Sequence, residues 1–296
     1  MIKKLFKNAK GFIILLIVTV NTILWFCPLL SFAIVKFLIP FKSFQRLMIN
    51  WTMAMASNWV SCNSKIFSIF NKTKWEISGL DQLNFNSWYL LIVNHSSWVD
   101  IIVLQTIFNQ RIPFLKFFIK RELVWLPILG IAWLALDMPF MKRYSKKYLE
   151  KHPQAKGKDL EVTRMACEKF RNVPTSVINF IEGTRFTEKK KLQYKSPYKF
   201  LMPPRAGGVA LVLSSMGEMF DVILDVTIIY PKKTPKFWDM ICGQFDHVII
   251  DIVKRPVEDW MIDTNYIEDD QYRKRFHRWL GEIWNEKDTK ISRLKD

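Results

Sequence analysis

Cysteine and histidine are scarce in this chain of 296 residues, with four of each. Cys27, Cys62, Cys167 and Cys242 are scattered without paired spacing. That argues against a disulfide framework and a zinc site, and fits reduced thiols in a cytosolic compartment. No cluster of ligands at metal spacing occurs elsewhere. Acidic residues are the minority sign: 27 Asp and Glu against 44 Lys and Arg leave a net charge of +17. Such an excess calls for an anionic partner, whether nucleic acid, an acidic membrane surface or a phosphorylated substrate. Internal repeats and low-complexity tracts are absent. What the chain has in quantity is apolar surface. Hydrophobic residues make up 50%, enough for a sizeable core in one large domain or two small ones, and too much for a disordered chain.

The N-terminus concentrates that apolar character. Lys3, Lys4, Lys7 and Lys10 precede an uncharged run from Phe12 to Val35, and Lys36, Lys42 and Arg46 follow it. About 20 apolar residues suffice to span a bilayer core. Basic residues at both ends put both ends on the cytoplasmic side. A bent, re-entrant pair of helices satisfies this better than a straight span, and Pro28 supplies the expected bend because it removes a backbone donor and crowds the preceding turn. A cleaved signal peptide ending near Ser31-Phe32-Ala33 is the weaker reading, since the apolar run is too long for one. A second apolar stretch, Met48 to Val60, either lies on the membrane or packs on the domain.

After Asn71, short apolar runs alternate with amphipathic stretches: Trp88–Val93, Trp98–Phe108, Ser176–Ile181, Gly208–Met216 and Val222–Tyr230. The alternation predicts an α/β fold with a largely parallel sheet flanked by helices, behind an N-terminal membrane-embedded helical segment. Helices are also expected over Lys158–Arg171, whose end charges match the helix dipole, and over Gln271–Trp284. The latter sets Tyr272, Phe276, Trp279, Leu280 and Ile283 on one face and leaves His277 on the surface. The basic stretch Lys142–Lys158 reads as a surface loop, either solvated or facing lipid head groups or cofactor phosphates.

One histidine stands out. The strand Trp88–Val93 runs into Asn94-His95-Ser96-Ser97-Trp98-Val99-Asp100. Five residues apart on one helix, His95 and Asp100 would diverge by about 140°. They meet only if a helix starts between them, and Ser97-Trp98-Val99-Asp100 has the [ST]-x-x-[DE] pattern of a helix start. His95 then sits in the turn at the carboxyl end of a strand, where parallel sheets hold ligands. Taken alone, Asp100 reads equally well as a capping carboxylate. Three further polar clusters accompany it. Glu182-Gly183-Thr184-Arg185 closes the strand Ser176–Ile181, with an arginine suited to phosphate. Met202-Pro203-Pro204-Arg205-Ala206-Gly207-Gly208 forms a stiff turn before a helix. Pro113 to Leu123 sets basic residues beside an apolar face.

These four elements, in this order from Trp88 to Met216, resemble the glycerolipid acyltransferases that include 1-acylglycerol-3-phosphate acyltransferase, with the bacterial YihG-like branch as the nearest form. Asn94-His95-x4-Asp100 resembles the family's first block. Lys120-Arg121-Glu122-Leu123 is similar to the second, Phe180–Phe186 to the third and Pro203–Gly208 to the fourth. Pro203-Pro204-Arg205 departs from the Val-Pro or Leu-Pro of other members and adds a cation.

The resemblance implies an anchor and amphipathic helical region over 1–70 and an α/β acyltransferase domain over 71–296. It implies that His95 is the general base and that Asp100 orients it, with substrate bound by Lys120, Glu182, Gly183, Thr184, Arg185, Pro204 and Arg205. Ser96 and Ser97 read as caps. No metal or cofactor is expected. The co-substrate is an acyl thioester of coenzyme A or acyl-carrier protein, and the acceptor a lysophospholipid among membrane lipids, with no nucleic acid partner. The expected location is the bacterial inner membrane, with the catalytic domain facing the cytoplasm. Two rivals remain. A membrane-bound thioesterase lacks a G-x-S-x-G elbow to support it. A non-enzymatic anionic-lipid-binding protein leaves His95, Asp100 and Arg185 without a purpose.

Overall fold

The computed structural model describes residues 2–39, 41–141, 165, 170–171, 173–262, 266 and 269–295. The Lys142–Lys158 stretch, most of the helix expected over Lys158–Arg171, and Cys167 lie outside the described residues. Cys27, Cys62 and Cys242 are free thiols.

Helix α1 (Ile2–Leu38) and helix α2 (Lys42–Phe70) run antiparallel. The Asn21 amide donates to Asn63 Oδ1 at 2.9 Å, Trp59 Nε1 donates to Thr22 Oγ1 at 3.1 Å, and Phe32 stacks on Trp51 at 5.6 Å. The turn between two helices expected at Pro28 is not there. The helix continues through Pro28 to Leu38, and the chain has reversed direction where α2 begins at Lys42. A proline ring is tolerated inside an apolar helix when a neighbouring helix supports it; here Leu29 packs with Ala56 of α2 in one buried cluster. At 37 residues α1 is about 55 Å long. It is long and apolar enough to cross a membrane, and only 17% of its most apolar window is buried. The Met48–Val60 stretch is buried along Met48, Thr52, Ala56 and Val60, a stripe at four-residue spacing, and it also meets the domain, where the Asn109 amide donates to the Ser57 carbonyl at 3.0 Å.

The remaining chain builds a six-stranded sheet in the order β1-β8-β7-β2-β6-β3. Its strands are β1 (Lys74–Ser78), β2 (Tyr89–Val93), β3 (Leu115–Phe117), β6 (Ser176–Phe180), β7 (Val222–Ile229) and β8 (His247–Arg255). The pairings β1–β8, β7–β2, β2–β6 and β6–β3 are parallel, and β7–β8 is antiparallel. The sheet is therefore mixed, with a parallel centre. Strands β4 (Ile119–Lys120) and β5 (Phe140–Met141) form a separate ribbon.

Every residue of β2 is buried, as expected for a central strand covered on both faces. Alternation then divides its side chains. Leu90 and Ile92 face helix α6 (Ala206–Met216) and helix α8 (Asp270–Lys295), packing with Val209, Leu213, Phe276 and Trp284. Tyr89, Leu91 and Val93 face helix α3 (Val99–Phe108) and reach Ile14 of α1. The helix expected over Gln271–Trp284 extends to Lys295. Lys287 and Ile291 carry its buried stripe onward, and a lysine on that stripe interrupts the apolar pattern seen in sequence. Three short helices complete the described set: α4 (Leu129–Ala135), α5 (Glu188–Gln193) and α7 (Phe237–Ile241).

Candidate active site

Strand β2 ends at Val93, and the Asn94 side chain prolongs its ladder. The Asn94 amide donates to the Ile228 carbonyl at 2.9 Å and accepts from the Ile228 N–H at 2.8 Å. This tie holds the following turn against the end of β7. Helical geometry starts at Trp98, and the Ser97 hydroxyl accepts from the Val99 N–H at 3.1 Å while donating to the Pro235 carbonyl at 2.5 Å. Asp100 thus lies in the first turn of α3 and reaches back.

Asp100 is fully buried and accepts four hydrogen bonds. Its Oδ2 receives the N–H groups of Ser96 (2.7 Å) and Ser97 (2.8 Å) and faces His95 Nδ1 at 2.8 Å. Its Oδ1 receives the Tyr230 hydroxyl at 2.5 Å. Burial, with the charge of Asp100, pushes the Tyr230 pKa well up, so the phenol stays a donor. An acceptor-only carboxylate at Nδ1 puts the imidazole proton there and leaves Nε2 with a free lone pair. The ring is clamped on its face by Phe180, with centroids 4.1 Å apart.

The β6 turn is fastened to the same structure. The Phe186 N–H donates to the His95 carbonyl at 2.8 Å, and the Arg205 N–H donates to the Ile181 carbonyl at 2.8 Å. Gly183 adopts φ +65°, and a Cβ there would stand 3.1 Å from the Arg205 side chain. The positive φ is what favours glycine here. Arg185 lies 4.4 Å over the exposed ring of Trp98. Lys190, on α5, donates to the Thr184 hydroxyl and, at 3.2 Å, to the Arg185 carbonyl. Among the described residues, none of Arg185, Lys190 and Arg205 pairs with a carboxylate. Pro204 is half-buried beside them. A His–Asp pair of triad-like geometry therefore stands next to a turn whose cations meet no carboxylate among the described residues.

The sequence model of the acyltransferase family matches residues 74–231, the span that holds both turns. The chain belongs to the acyltransferase family. Human 1-acyl-sn-glycerol-3-phosphate acyltransferase delta is 24% identical over 214 residues, covering 68% of this chain and 51% of that one. The mouse protein of the same name is 26% identical over 212 residues, with the same coverage. The chain spans about half the length of the curated relatives it matches. The crystal structure of the 1-acyl-sn-glycerophosphate (LPA) acyltransferase PlsC from Thermotoga maritima superposes with a TM-score of 0.55 at 13% identity, over 97% of this chain and 98% of that one. At that identity the likeness is one of fold.

Within this acyltransferase domain, two of the residues singled out in sequence occupy unexpected places. Glu182 is 1% exposed and lies beneath its turn, and neither carboxyl oxygen closes a hydrogen bond. Burial pushes its pKa well above the usual carboxylate range. The nearby amides of His95 and Met202 and the ammonium of Lys287 pull it down, and Asp100 pushes it up. Lys120 is exposed at the end of β4, on the ribbon rather than the main sheet. Three contributors escaped the sequence reading: Tyr230, Trp98 and Lys190. Tyr230 had one usable signal, an aromatic closing the aliphatic strand that pairs with β2. Beneath the site, the fully buried Lys287 is ion-paired with Asp225 Oδ1 at 2.5 Å and donates to the Val226 carbonyl at 2.6 Å, and Arg255 meets Asp225 Oδ2 at 2.9 Å. Desolvation lowers the Lys287 pKa and Asp225 opposes that.

Proposed function

We propose that the protein moves a fatty acyl group from a thioester to the hydroxyl of a lysophospholipid, with 1-acylglycerol-3-phosphate as acceptor and phosphatidic acid as product. The observation that carries this reading is the His95 ring, oriented by Asp100 through Nδ1, on a turn hydrogen-bonded to the Arg185 turn.

His95 Nε2 takes the proton of the acceptor hydroxyl as its oxygen attacks the thioester carbonyl carbon. The carbon–sulfur bond breaks, the thiolate leaves, and it collects the proton from the imidazolium. Asp100 keeps the ring in one tautomer and stabilises the imidazolium, as in the triad logic. No protein nucleophile is needed, because the acceptor brings its own hydroxyl. Arg185, with Thr184, holds the acceptor's phosphate. Gly183, Pro204 and Arg205 shape that side of the opening, and Glu182 supports the turn from inside.

The donor is an acyl thioester of coenzyme A or of acyl-carrier protein, in which case the carrier is a partner. No resident cofactor or metal enters the reaction, and nucleic acid is no partner. The helices over 1–70 serve as the anchor for the catalytic domain over 71–296, at the cytoplasmic face of a bacterial inner membrane. The test is incubation of membranes carrying the protein with labelled acyl-CoA or acyl-carrier protein and a panel of lysophospholipids. Labelled phosphatidic acid, absent with His95→Ala, is the expected result. Label released as free fatty acid would assign a thioesterase and overturn the proposal.

A further inference from the structure

A second apolar surface lies apart from the catalytic turn. From Leu123 to Leu136 the chain carries no charged residue. In the structure this segment is a short 3-10 turn, Arg121–Trp125, followed by α4. Trp125 is 85% exposed, and Leu126, Ile128, Leu129, Ile131 and Leu134 also face outward. Soluble monomers rarely present a contiguous apolar patch of this kind without a use for it.

The patch is built rather than frayed. Ile128 sits at φ +65°, and the Leu129 N–H closes back on the Pro127 carbonyl at 2.6 Å. That is a tight three-residue turn which a β-branched residue enters only under strain. Gly130 packs so closely on the Val124 carbonyl that a Cβ would stand 1.9 Å from it. The fold therefore pins these side chains where water meets them.

Its neighbour identifies the occupant. The inner side of α4 packs on the α1–α2 pair below its tip, where Ala135 and Leu136 share a buried cluster with Leu29 and Ala56. Lys36 of α1 bonds the Ala135 carbonyl at 3.2 Å and Asp137 at 2.9 Å. Phe37 (86% exposed), Leu38 and Phe41 extend the apolar surface across that tip. Exposed Lys42, Arg46, Lys120 and Arg121 border it, with Glu122 the one exposed acid on this stretch. An apolar face collared by cations matches the acyl region of a bilayer beneath anionic head groups. A second copy of the chain fits poorly, because a two-fold contact would set the two cationic collars against each other.

We infer that Trp125–Leu134 enters the lipid beside the tip of α1, giving the catalytic domain a membrane contact of its own. The inference rests on α1 meeting lipid and is independent of the reaction catalysed.

Full-length protein is bound to phosphatidylcholine–phosphatidylglycerol vesicles whose acyl chains carry bromine, and its tryptophan emission is compared with that of Trp125→Phe. The expected difference spectrum is blue-shifted and quenched by the bromines. In a Leu129→Glu, Ile131→Glu double variant, still vesicle-bound through α1 and melting as wild type because both side chains are exposed, quenching at Trp125 is lost. An unquenched, water-like Trp125 in bound protein overturns the inference, as does failure of the full chain to float with vesicles. A dimer in detergent that the double variant dissociates assigns the patch to a second copy instead, and also overturns it.

Discussion

The turns that follow β2 and β6 sit side by side, yet they are finished differently. Around β2 the groups that hold the His95 ring are satisfied: Asp100 meets four donors, and Asn94 closes both ends of its amide on Ile228. Around β6 the opposite holds. Glu182 is buried without a closed hydrogen bond, and Arg185, Lys190 and Arg205 have no carboxylate partner among the described residues. Under the proposed reaction the difference separates two tasks. A base must hold one geometry before substrate arrives, so its polar groups are satisfied by the protein. A binding turn must leave charges for the substrate to satisfy, and it stays incomplete without it.

The harshest way to break this contrast is at the base. His95→Ala should lower acyl transfer by about 10²–10⁴-fold with unchanged thermal melting. Assaying esterified product alongside a melting curve checks both; near-normal turnover would remove His95 from the mechanism.

On the β6 side, Arg185→Ala should reduce kcat/KM for the phosphorylated acceptor by about 10–150-fold, the worth of a charge-assisted hydrogen bond of roughly 1.5–3 kcal/mol. Melting and donor KM should hold. Equal losses towards unphosphorylated lysolipids, together with lowered melting, would instead make Arg185 structural. Arg185→Lys should recover only part, because an ammonium cannot make paired bonds.

A finer probe is Tyr230→Phe, which deletes one of the four donors to Asp100. About 1–2 kcal/mol of orientation is at stake, or roughly 5–30-fold in kcat, with acceptor KM unchanged. Loss confined to KM would contradict a positioning role.

The smallest effect concerns Glu182. Its folded pKa is raised, so the native state holds the proton more tightly than the unfolded chain does. Stability is fully present below the unfolded value, near 4.5, and declines as pH climbs from there through the raised folded value. Glu182→Gln should flatten that decline. Melting temperatures from pH 4 to pH 9 should converge at the acid end and separate at the alkaline end, with the variant higher. Parallel curves would show that folding leaves the Glu182 pKa unshifted.

The core of the site was legible because its contacts are local. The His95–Asp100 pairing spans five residues, and a helix start between them leaves one way to meet. The central strands were legible too, as apolar runs bounded by polar turns. The N-terminal turn was misread at Pro28, because whether a proline kinks a helix depends on what packs beside it, and α2 packs there.

By itself, then, the sequence determined the His95–Asp100 pairing, the parallel centre of the sheet and the helix that starts between those two residues. Each of these follows from backbone geometry over a few residues. Tertiary structure alone decided that Tyr230 would complete the carboxylate's partners across 130 positions of chain. It alone placed Glu182 beneath its turn and Arg185 over Trp98. It also left one face of α4 to the outside. Burial and charge pairing depend on which elements pack together, and no local pattern carries that information.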